Sequence, residues 1–119
     1  MQYLILIYGD PATSEAMSDE ESAATMGEYF AYTQGLQDAG VLVDGNPLES
    51  AASATTVRVR DGKRLLTDGP FAETREVLGG YYLIECDSLD AALDHAAACP
   101  GASGGSIEVR PVMPMPARA

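Results

Sequence analysis

Residues Gln2 to Tyr8 read QYLILIY, an apolar run with no charged residue. Such a run cannot place one face in water, so it predicts a central strand covered on both sides. Tyr81 to Cys86 (YYLIEC) predicts a second apolar strand of the same kind. A chain with two such strands must build a sheet around them and find cover for both sheet faces.

The segments between them supply the rest. Asp10-Pro11 breaks the first strand. Ser18-Asp19-Glu20-Glu21 is a capping box whose three acids suit a helix N-terminus. Met26, Tyr29, Phe30, Thr33 and Leu36 then recur at helical spacing and predict a buried face, with the helix ending near Gly40. Val41 to Val43 predicts a short strand left through Asp44-Gly45-Asn46-Pro47, and Ser50 to Ala54 a flexible surface stretch. Thr55 to Arg60 alternates, Asp61-Gly62 is a type I′ hairpin signal, and Arg64 to Thr67 returns. After Cys86, Asp87 or Ser88 can cap a second helix with Leu89, Ala92, Leu93 and Ala96 on one face. Cys99-Pro100-Gly101 stops it, and Ile107 to Met113 alternates as a last strand.

The order β, α, β, hairpin, β, α, β contains two β-α-β halves. It predicts an α+β ferredoxin-like sandwich, an antiparallel sheet with two helices on one face and an inserted β-hairpin. The chain reads as a single domain over residues 1–113 with a tail at 114–119. The sheet face away from the helices would be bare, and a symmetric partner sheet is the simplest cover, so a homodimer is expected.

Charge narrows the partners. Eighteen acids against seven bases give −11, which disfavours nucleic acid. The bases are unevenly placed: none precedes Arg58, and Arg58, Arg60, Lys63 and Arg64 cluster on the hairpin. That cluster either balances the acidic surface of another subunit or receives an anion. Cys86 and Cys99 have neither CxxC spacing nor metal-ligand neighbours and read as reduced thiols in a cytoplasmic protein. No segment reads as a signal peptide or membrane span. No metal or other cofactor is implied.

Between the hairpin and the Tyr81 strand lies Asp68-Gly69-Pro70-Phe71-Ala72-Glu73-Thr74-Arg75-Glu76, more specified chemistry than a plain connection needs. Asp68 cannot accept from residue 70, a proline without an N–H. It is left to brace the turn through the Phe71 amide or to face a site as a carboxylate. Gly69 and Pro70 fix direction, and Phe71 is expected to anchor the loop in the core or to line a pocket. Arg75 can hold an anionic group while Glu73 or Glu76 takes a proton; a solvated turn is the plainer alternative. Gly79-Gly80 admits close approach of a ligand or simply starts a strand. His95 is expected on the surface.

The run DGPFAETREVLGGYYLIEC, with YLILIYGD, ATTVRVRDGKRLLTDGPF and GSIEVRP, resembles the YCII-related family, in the branch named for its DGPF motif. The likeness spans residues 1 to 113. It implies a dimeric α/β-barrel form of the ferredoxin-like fold, a site in a cleft beside the sheet that includes a His–Asp pair in some members, and no assigned activity for most. Relatives in this branch are often encoded beside extracytoplasmic-function sigma factors, which implies such a factor as a partner. Asp68 matches the motif aspartate. The histidine of the pair has no counterpart here, the first helix offering Glu28, Tyr29 and Tyr32 instead, so the pair is incomplete.

Three readings follow. The first is an acid–base enzyme on an anionic metabolite, with Asp68 as base and Tyr8, Pro70, Phe71, Arg75, Gly79 and Tyr81 around the ligand. The second is a ligand-binding module without chemistry, and the third a regulatory partner of a sigma factor.

Overall fold

The computed structural model describes residues 1–116; residues 117–119 of the expected tail lie outside the described residues. Strands β1 (Gln2–Gly9), β2 (Leu42–Pro47), β5 (Val77–Glu85) and β6 (Ser106–Pro111) form one sheet in the order β2-β5-β1-β6. All its pairings are antiparallel. Strands β3 (Thr55–Arg60) and β4 (Lys63–Asp68) form a separate two-stranded hairpin. Helices α1 (Pro11–Glu15), α2 (Asp19–Asp38) and α3 (Leu89–Ala97) lie between the strands along the chain, and short 3-10 turns form at Ala51–Ser53, within the expected flexible stretch, and at Pro100–Ala102. This is the α+β ferredoxin-like arrangement, with β1 and β5 central as their apolar runs require.

The helix ends are chemically specified. The Glu21 amide donates to Ser18 Oγ at 3.1 Å and the Ser18 amide to Glu21 Oε1 at 3.3 Å, closing the capping box of α2. At the other end the Val41 amide returns to the Leu36 carbonyl and the Gly40 amide to Gln37, with Gly40 at φ +72°. That pair of bonds is a Schellman stop, and the left-handed residue favours glycine. Ser88 Oγ accepts from the Ala91 amide and caps α3.

The helix-side face of the sheet carries the core. Tyr3, Ile5, Ile84, Leu36 and Ala92 are buried together, with Ile7, Tyr32, Tyr82, Ile107 and Val109 packed around them. Fully burying Ile5, Leu36 and Ile84 contributes roughly 1.5–3 kcal/mol each. Across the same layer Thr33 Oγ1 and the Tyr82 hydroxyl share a hydrogen bond at 2.7 Å, and the Tyr32 hydroxyl donates to the His95 carbonyl at 2.6 Å.

The structure corrects several local expectations. The buried stripe of α2 is Tyr29, Tyr32, Thr33 and Leu36; Met26 and Phe30 are exposed. Phe30 follows Tyr29 by one residue, about 100° around the helix, and so leaves the sheet-facing side. On α3 only Ala92 and Ala96 of the expected face are buried, while Leu89 and Leu93 are exposed and His95 is half-buried. Asp44 to Pro47 does not leave the sheet but pairs with β5, after an irregularity between Leu42 and Asp44. Gly45 fits there because a β-carbon would stand 2.7 Å from the Tyr82 ring. Asp10-Pro11 does not merely break β1: Asp10 Oδ1 accepts from the Ala12 amide at 2.9 Å and caps α1.

Candidate functional site

The loop that follows the hairpin does not return to the core along its whole length. Gly69 holds φ +91°, a backbone angle that suits glycine, and its amide donates to the Ala54 carbonyl at 2.6 Å. Thr56 Oγ1 donates to the Gly69 carbonyl at 2.8 Å, so the start of the loop is fastened to the root of the hairpin. Phe71, expected as a core anchor, is 78% exposed. Its ring finds no cavity within this chain because the loop is tied to the hairpin rather than folded over the sheet.

The later half of the loop reaches the sheet. Thr74 Oγ1 donates to the Glu76 carbonyl and turns the chain into β5. Ser106 Oγ, the first residue of β6, lies 2.9 and 3.1 Å from the two carboxylate oxygens of Glu76. Arg75 Nε donates to Asp10 Oδ2 at 3.1 Å. Asp10 thus receives a backbone N–H on one oxygen and a guanidinium on the other. Its pKa is lowered first by the Ala12 amide bond and then by Arg75. The pair is a surface one, with the Arg75 side chain 90% exposed, so it orients more than it stabilises.

These contacts frame an open cleft of about 570 Å³ lined by Tyr8, Thr74, Glu76, Ser106, Ile107 and Glu108. A neighbouring hollow is lined by Asp10, Thr13, Arg75, Glu76 and Gly104. Glu76 belongs to both. Glu108 Oε2 meets the Arg110 guanidinium as an ion pair without a formed hydrogen bond. Gly105 makes the cleft wall possible: a β-carbon there would lie 2.2 Å from the Tyr8 carbonyl oxygen. The chain entering β6 therefore passes directly against β1.

Of the residues expected around a ligand, the structure brings Tyr8 and Arg75 to this region, together with Glu76. Asp68 is elsewhere. It ends β4 opposite Thr55, is exposed and lines neither hollow, and among the described residues its side chain forms no hydrogen bond, to the Phe71 amide or to any other group. Pro70 and Phe71 stay outside with it. Gly79 sits at the β5 irregularity facing β1, and its carbonyl accepts from the Leu48 amide at 2.9 Å. Gly80 serves close strand packing, since a β-carbon would stand 3.2 Å from the Asn46 carbonyl oxygen. Tyr81 pairs opposite Leu6, and its hydroxyl accepts from Asn46 Nδ2 at 3.0 Å.

The residues that sequence reasoning missed are Asp10, Ser106 and Glu108. Asp10 looks like a strand breaker in the sequence, Ser106 lies just before the expected last strand, and Glu108 looks like an ordinary position within it. The one local sign was Gly104-Gly105 before Ser106, a pair that permits close backbone approach. No cluster of three or more histidine, cysteine, aspartate or glutamate side chains able to hold a metal occurs among the described residues.

A family model for the YCII-related domain matches residues 1–116. The chain belongs to the YCII-related family. An uncharacterized protein of Rhizobium meliloti (strain 1021) is 42% identical over 114 residues, covering 94% of this chain and 92% of that protein. The ferredoxin-like sheet and the cleft beside its β1–β6 end are thus features of a YCII-related chain. Among the described residues, no helix is long and apolar enough to cross a membrane.

Proposed function

We propose that this YCII-related protein binds a small polar molecule in the cleft between the Thr74–Glu76 loop and the start of β6, with Glu76 as the group able to take a proton from it. The observation that carries this reading is the Glu76–Ser106 contact, which holds a carboxylate in one orientation at the wall of an open cleft. A general base needs this combination of fixed geometry and access. Tyr8 lines the same cleft and is a candidate for orienting the ligand.

The charge pattern favours a different ligand from the anion expected around Arg75. Arg75 is engaged by Asp10 and Arg110 by Glu108, which leaves Glu76 without a cationic partner among the described residues. A ligand bringing an amine or several hydrogen-bond donors suits that carboxylate better than a second anion does. The same cleft serves a binding module without chemistry, and turnover separates the two readings.

A thermal-shift screen of small amines, amides and carboxylates against wild type and Glu76→Gln tests this proposal. We expect donor-rich compounds to raise the wild-type melting temperature and to lose that effect in the variant. Stabilisation by carboxylates alone, equal in both proteins, would overturn it.

Two further aspects belong to this reading. Leu4, Leu6, Tyr81 and Leu83 are only half-buried on the sheet face away from the helices, which supports pairing of two copies through that face. Cys86 and Cys99 are both free, which supports a reducing, cytoplasmic setting.

A further inference from the structure

The chain exposes far more surface than its mass requires. Its accessible area is 8634 Å², whereas a compact monomer of 12.5 kDa exposes about 6,200 Å². The radius of gyration tells the same story, 16.6 Å against about 13.5 Å for a compact chain of this length. The excess area, about 2,400 Å² per chain, would give a two-copy total in the range of obligate dimers.

The hairpin contributes to it. The β3–β4 hairpin pairs only with itself, and Val57, Val59, Leu65 and Leu66 are all exposed on it, with Phe71 exposed just beyond its root. A lone two-stranded hairpin is marginal in water, and four exposed aliphatic side chains make it worse. Its turn is nevertheless well specified, with Asp61 at φ 51° and Gly62 at φ 74° as a type I′ turn needs. The hairpin is built to be rigid and is left uncovered by its own chain.

Charge selects what covers it. The hairpin carries Arg58, Arg60, Lys63 and Arg64 against Asp61 and Asp68, a net +2, which leaves −13 on the rest of a chain whose total is −11. A second copy offers both the acidic surface and the apolar area that the arm lacks.

We infer that the β3–β4 hairpin is an arm that crosses to a second copy of this chain, laying Val57, Val59 and Leu66 on it and setting Arg64, which shares their face, against acidic side chains there. Each copy gives an arm and receives one, so the contact closes on itself. The sheet-face pairing proposed above is a separate contact, and the arm adds to it.

Sedimentation velocity over a concentration series, on wild type, Leu66→Glu and Arg64→Glu, tests this inference. We expect a wild-type dimer, at least a tenfold larger dissociation constant for each variant, and a wild-type constant that rises with salt. Circular dichroism confirms that the variants remain folded. Hydrogen exchange of wild type needs no variant: amides of residues 56–67 that pair in the hairpin are protected in the dimer and lose protection on dilution below the dissociation constant. A dimer whose constant is unchanged in the variants, or whose arm exchanges freely, would overturn the arm but not the sheet-face pairing. A wild-type monomer at every concentration would overturn both, and neither outcome bears on the cleft.

Discussion

Ser106 Oγ stands within hydrogen-bond distance of both carboxylate oxygens of Glu76, 2.9 Å from one and 3.1 Å from the other. One hydroxyl proton shared between two oxygens fixes the plane of the carboxylate, and it joins the loop before β5 to the first residue of β6. Removing it leaves Glu76 at the cleft wall but free to rotate. Ser106→Ala should weaken binding of any cleft ligand several-fold while lowering stability by no more than about 1 kcal/mol, because the bond is exposed. Parallel ligand titration and urea denaturation check both numbers; a large stability loss with unchanged binding would mean that the contact is architectural.

Gly105 offers a sharper structural test. A methyl group there meets the Tyr8 carbonyl oxygen at 2.2 Å, and a backbone atom cannot step aside as a side-chain end can. Gly105→Ala should cost about 1–3 kcal/mol, the usual range for overpacking, and should reshape the cleft. Gly104→Ala, whose β-carbon meets nothing within 4 Å, is the control and should be far milder. Thermal melts of the two variants side by side make the comparison.

Leu36 is the buried lock between α2 and the sheet, only 2% exposed. Leu36→Ala should cost about 2–5 kcal/mol through lost transfer energy and the cavity left behind. The exposed Phe30 on the same helix should tolerate alanine with little change in monomer stability. Chemical denaturation of both variants tests which residues face the core.

Tyr29 gives the fold a signature at high pH. Burial, with Cys99 as the next cause, pushes its pKa up from 10.0 to about 12. The folded state therefore holds its proton more tightly than the unfolded chain does. The stabilisation this provides is complete below pH 10 and is lost as pH rises towards 12. Tyr32 is raised in the same direction, chiefly by burial. Stability should fall across this window, and Tyr29→Phe should make the fall shallower. Denaturation midpoints measured at pH 8 to 12 decide it.

Local chemistry was legible in the sequence and long-range meeting was not. The Ser18–Glu21 capping box, the Gly40 stop and the Asp61-Gly62 turn each involve neighbours within a few residues, and each formed as read. The fold class and the central place of β1 followed from the apolar runs and the rhythm of elements. The site depended on strand register instead. Glu76 and Ser106 are 30 residues apart and Asp10 and Arg75 are 65 apart, and only the β1–β5 and β1–β6 pairings bring them together. Asp68 drew notice because a proline removed its usual turn partner, yet the hairpin carries it away from the sheet. Phe71 was misplaced for a related reason: the start of its loop is fastened to the hairpin, which leaves the ring exposed.

We propose Glu76 as the functional carboxylate, and Asp68 lines no part of this chain's cleft. Isothermal titration of one ligand from the screen into wild type, Glu76→Gln and Asp68→Asn tests this most directly. We expect at least a tenfold loss of affinity in Glu76→Gln and wild-type affinity in Asp68→Asn. Full affinity in Glu76→Gln together with its loss in Asp68→Asn would contradict it.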